Sequence, residues 1–70
     1  MIPLIYADIN KPLIIKKIGG NLEEKKHLED LGFNVGTQIM IICSIGDNLI
    51  VKVKDSRIAL SDILARKIMV

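Results

Sequence analysis

Seventy residues, half of them hydrophobic, suffice for one small core and are too few for two, so every element has to share it. Only Tyr6 and Phe33 are aromatic, which makes that core aliphatic and leaves almost no stacking platform for single-stranded nucleic acid. Ten Lys and Arg against eight Asp and Glu give a formal charge of +2, with both signs scattered along the chain, a mildly basic surface without the concentrated positive field of a nucleic-acid binder.

The opening stretch, MIPLIYAD from Met1 to Asp8, has no basic start and no long apolar run, so it does not read as a signal peptide. No apolar run in the chain approaches the roughly 20 residues needed to cross a bilayer, and direct membrane insertion is not expected. After the turn-forming Asn10-Lys11-Pro12, the segment Leu13 to Ile18 (LIIKKI) is rich in β-branched residues and predicts a first strand. Gly19-Gly20 ends it. These glycines do not make a phosphate-cradling loop, because Asn21-Leu22-Glu23-Glu24 puts two acids where a phosphate would sit.

Asn21 followed three residues later by Glu24 is the pattern of a capping box, in which the Asn side chain accepts an orphan amide and the Glu reaches back. It starts a helix. Gly32 stops that helix by taking the left-handed conformation, which places Phe33 against Leu28 in a Schellman-type end. At 100° per residue Leu28 and Leu31 form the buried stripe. Leu22 falls on the other side, among Lys25, Lys26 and Glu29, and it either folds back over Ile18 as a local staple or serves as a contact for another protein. Glu23, His27 and Asp30 project from one helical face with the spacing of metal ligands. Three such groups on an exposed helix are more often a solvated face with Lys25 and Lys26 as salt-bridge partners, so they are weak candidates and no metal is assigned.

Asn34 to Thr37 is a turn, and Gln38 to Ser44 (QIMIICS), apolar at nearly every position, reads as a strand buried on both faces or bent in a barrel. Its Cys43 is the only cysteine, which forbids an intramolecular disulfide, favours a reducing compartment and is expected to be buried and structural. A Cys43 nucleophile with His27 as base would lack both a third group and an oxyanion motif. Ile45-Gly46-Asp47-Asn48 predicts a tight hairpin turn. Beyond it Leu49, Val51 and Val53 point inward and Lys52 and Lys54 outward. Asp55-Ser56 makes another turn, Arg57 to Leu60 a short strand, Ser61 caps a single helical turn through Ala65, and Lys67 to Val70 closes the structure as a last strand. Together these predict one mainly β domain over residues 1–70, a small, partly open SH3-like barrel of about five strands with one short α-helix and a second helical turn.

The pattern resembles the FeoA family of small ferrous-iron-transport accessory proteins. It is carried by Ile18-Gly19-Gly20, by HLEDLGFNVGTQI from His27 to Ile39, by Gly46-Asp47 with Leu49-Ile50-Val51-Lys52-Val53, by Arg57-Ile58-Ala59-Leu60, and by Ala65, Ile68 and Val70. Leu28-x-x-Leu31-Gly32-Phe33-x-x-Gly36 before a strand is the most specific part. The chain departs from the family at Asn10-Lys11-Pro12, where members often have Pro-Gly. The resemblance implies an SH3-like barrel in the cytosol that assists FeoB, a membrane ferrous-iron transporter with a cytosolic GTP-binding domain. It implies no enzymatic activity, no cofactor and no fixed set of iron ligands. A similar fold closes iron-dependent repressors, but Met1 to Asn10 leave no room for a helix-turn-helix.

These readings lead to one expectation and two rivals. The expectation is a cytoplasmic module that docks on the cytosolic region of a FeoB-like transporter through Leu22, Lys25, Lys26 and Glu29, while Leu28, Leu31, Gly32 and Phe33 hold the helix in place; weak self-association is left open. One rival is a nucleic-acid-binding small barrel using Lys16, Lys17, Lys52, Lys54 and Arg57. The other is a metal-sensing domain using Glu23, His27 and Asp30.

Overall fold

In the computed structural model, which describes residues 1–70, Leu13 to Ile18 does not run as one strand. It forms β1 (Leu13–Ile14) and β2 (Lys17–Ile18), which belong to different sheets. At the break Ile15 is buried; its N–H donates to the Thr37 carbonyl at 3.1 Å and its carbonyl accepts the Gly36 N–H at 2.8 Å. The next N–H, of Lys16, donates instead to the Met69 carbonyl at 2.8 Å. One continuous apolar segment thus serves two sheets, and this corner is why six strands form where about five were expected.

After β2 come α1 (Leu22–Asp30), β3 (Gln38–Ile45), β4 (Asn48–Val53), β5 (Ser56–Ser61), α2 (Asp62–Ala65) and β6 (Ile68–Met69). An antiparallel sheet has the order β1-β3-β4-β5, and β2 pairs antiparallel with β6 in the second sheet. The expected helical turn is α2, capped by Ser61, whose hydroxyl accepts the Leu64 N–H at 3.3 Å.

Apolar residues occur at nearly every position of β3 because the strand is bulged. Ile41 pairs with Val51 and Cys43 with Ile50, which leaves Ile42 extra and shifts the alternation. Ile39 and Ile41 enter the core before the bulge, whereas Ile42 and Cys43 beyond it are only half-buried. Cys43 is therefore not the buried core cysteine that its apolar neighbours suggested.

Both hairpins turn on two residues. Gly46-Asp47 joins β3 to β4 with Gly46 at φ +58°, a sign glycine takes without steric cost. The next turn is Lys54-Asp55, one residue earlier than expected, because Ser56 already pairs with Val53.

Residues ahead of β1 complete the core. Leu4–Tyr6 forms a 3₁₀ turn that buries Leu4 completely. Ile2 and Val70 exchange both backbone hydrogen bonds, at 2.9 and 2.8 Å, and Pro3 bridges Met69. The core is wholly apolar: Leu4, Ile15, Leu28, Phe33, Ile39, Ile41, Val51, Val53, Leu60, Ala65, Ile68 and Val70. No helix is long and apolar enough to cross a membrane.

Candidate functional site

Helix α1 is fixed at both ends by its own sequence. At the start the Asn21 side-chain oxygen accepts the Glu24 N–H at 2.8 Å, while Glu24 Oε1 accepts the Asn21 N–H at 3.1 Å, which completes the capping box. At the end Gly32 adopts φ +101°; its N–H donates to the Glu29 carbonyl, and the Phe33 N–H to the Leu28 carbonyl, each at 2.9 Å. Those two bonds define a Schellman motif. Phe33 and Leu28 are both fully buried in one cluster, the apolar contact that accompanies such an end. Leu31 packs against that cluster but stays half-buried, so the inward stripe is narrower than the spacing suggested.

The opposite side of α1 faces solvent. Leu22 is 85% exposed, so it does not fold back over Ile18, and the staple reading is overturned. A staple needs a close apolar neighbour at the helix entry, and here the chain enters through Gly19-Gly20, with Gly20 at φ +93°. Lys26 and Glu29 are exposed and Lys25 is half-buried, so Leu22, Lys25, Lys26 and Glu29 share one stripe, with spacings of three and four residues. The stripe is therefore one large apolar side chain within a charged surround.

Glu23, His27 and Asp30 are likewise exposed on α1. They are not joined by ligands from elsewhere, since no three His, Cys, Asp or Glu side chains converge anywhere in the chain in a manner that could hold a metal ion. Cys43, half-buried on β3, has no such cluster around it either.

The strand cations divide into two groups. Lys17 lies in β2 and Lys16 just before it, in the small sheet. Lys52 and Arg57 stand directly opposite one another on β4 and β5, and Lys54 follows in the turn. Lys52, Lys54, Gln38, Ile39 and Met40 line a shallow depression of about 290 Å³ on the outer face of the large sheet. The sequence marks both lysines as outward-facing, but the pairing of Lys52 with Arg57 depends on strand register.

The family model described as FeoA domain matches residues 2–70. A protein of Methanocaldococcus jannaschii named as an Fe(2+) transport protein A is 34% identical over 70 residues, which is all of this chain and 85% of that protein. A crystal structure described as the iron uptake regulatory protein FeoA superposes with a TM-score of 0.86 at 25% identity, covering 96% of this chain and 89% of the other.

Proposed function

The chain belongs to the FeoA domain family, and from that premise we propose that it serves ferrous iron uptake as a non-catalytic cytosolic accessory protein, docking on the cytosolic region of a FeoB-like membrane transporter. The transport-accessory role rests on the family match and on the name of the archaeal relative. Docking through α1 rests on one observation above all: Leu22 stands 85% exposed on a helix whose ends are rigidly capped. A large apolar side chain held out of the core costs stability that its burial would supply, about 2 kcal/mol for a leucine. Burial against a partner recovers it. Lys25, Lys26 and Glu29 around it provide a charged rim that would set orientation.

The mechanism is contact without chemistry. Bound to the transporter, the helix face would shift the balance between the transporter's conformations only as far as it binds one of them more tightly than another. A pull-down of the transporter's cytosolic region tests the assignment. The Leu22→Asp, Lys26→Glu protein, with an unchanged circular dichroism spectrum, is expected to lose capture; capture equal to wild type would remove the helix face from the interface.

A further inference from the structure

The outer face of the large sheet carries a charge arrangement that its own fold does not balance. Lys52 and Arg57 are a directly opposed cross-strand pair. Such positions hold their Cβ atoms about 4.5–5.5 Å apart, and like charges placed there destabilise a sheet. Lys54 adds a third cation beside them, at φ +54°, a conformation that a glycine would hold without strain. None of the three makes an ion pair, and Asp55 in the same turn does not neutralise them; the chain's one salt bridge, Lys11 with Asp8, lies elsewhere.

The adjoining edge is also unpartnered. β5 is the last strand of its sheet. In the two-residue hairpin with β4, Ser56, Ile58 and Leu60 exchange bonds with β4, so Arg57 and Ala59 turn their N–H and C=O groups outward. Neither residue makes another backbone hydrogen bond. A free edge and a row of uncompensated cations therefore meet at Arg57.

We propose that β5 and the Lys52, Lys54, Arg57 face together form a docking site for an acidic, extended peptide segment, which adds as a strand beside Arg57 and Ala59 and lays its carboxylates over the three cations. Strand addition supplies affinity through main-chain hydrogen bonds and specificity through alternate side chains. The complementarity lies in charge, with Arg57 able to grip a carboxylate in bidentate fashion. Nucleic acid fits less well because no aromatic side chain lies on this face: Phe33 is in the core and Tyr6 in the leading 3₁₀ turn. A membrane fits less well because none of the large exposed apolar side chains belongs to the paired part of β4 or β5. The site is separate from α1 and does not depend on how that helix is used.

The test is a charge swap with a short labelled peptide that alternates Glu with Thr. Wild type should bind it with affinity that falls as salt rises, while the Lys version of the peptide should not bind. Lys52→Glu with Arg57→Glu should weaken the acidic peptide roughly tenfold or more and accept the Lys peptide instead. Lys67→Glu, the same charge change off this face, should leave binding unaltered. Amide exchange at Arg57 and Ala59 should slow on binding. Absence of binding at low salt, binding indifferent to the swap, or tighter binding of oligothymidylate or anionic vesicles than of the peptide would each overturn the proposal. So would a swapped protein that merely aggregates while keeping its affinity, since the cations would then be edge guards alone.

Discussion

At the scale of single residues, two left-handed positions make opposite demands. Gly32 holds φ +101° at the end of α1, and a Cβ there would meet Val53 Cγ2 at 3.7 Å, an ordinary contact. Gly32→Ala should therefore cost backbone strain without a clash, about 1–2 kcal/mol. Lys54 holds φ +54° with a side chain, so Lys54→Gly should stabilise, by about 0.5–1 kcal/mol after glycine's extra chain entropy is deducted. Thermal melts of both variants check the pair: one midpoint should fall and the other rise, the latter together with weaker acidic-peptide binding. Gly32 was legible in the sequence because a helix stop is local, written in the residues that form it. Lys54 was not, because the sequence placed the turn at Asp55-Ser56 and only the pairing of Val53 with Ser56 moves it.

At the scale of elements, α1 separates structure from surface along one short helix. Leu28 is fully buried and Leu22 is 85% exposed, so truncating them should have unlike consequences. Leu28→Ala is expected to cost about 2–5 kcal/mol, whereas Leu22→Ala should stay within about 0.5 kcal/mol. Urea titrations that gave equal losses would show that Leu22 contributes to packing after all. The helix boundaries could be read because capping residues act on their immediate neighbours. The strands could be read only in part: Ile15 and Lys16 look like mid-strand residues, and the sheet change between them is imposed by the distant Thr37 and Met69 carbonyls. The bulge at Ile42 is hidden in the same way, since an extra residue in an apolar run leaves no mark until its partner strand is known. The helix face was legible as a stripe of residue types, and its exposure was not, because staple and docking contact share one pattern.

At the scale of the whole molecule, the least legible part was the beginning. Met1 to Asn10 received no element from the sequence, yet Leu4 is among the fully buried residues and the 3₁₀ turn that carries it packs against α2. A short segment with one buried leucine has no periodicity to announce it. In a chain of this size the core supplies about 3–5 kcal/mol in total, so Leu4→Ala, at about 2–5 kcal/mol, should leave the protein largely unfolded at physiological temperature. Near-ultraviolet circular dichroism and amide dispersion in a proton–nitrogen spectrum would reveal it; a well-dispersed spectrum would mean that the turn is an accessory to a core complete without it.

The paired hydrogen bonds between Ile2 and Val70 also set an order of events. On folding, Ile2 has to wait for Val70, far along the chain, so the seal between them is expected to form late because it closes a long loop. The two hairpins among β3, β4 and β5, joined by turns of two residues, need no such wait. Until closure, the core that Leu4 and Ile68 share is incomplete, and the folding chain is a partial sheet with its apolar side showing. Its exposure to aggregation during that interval depends on how quickly Ile2 and Val70 meet.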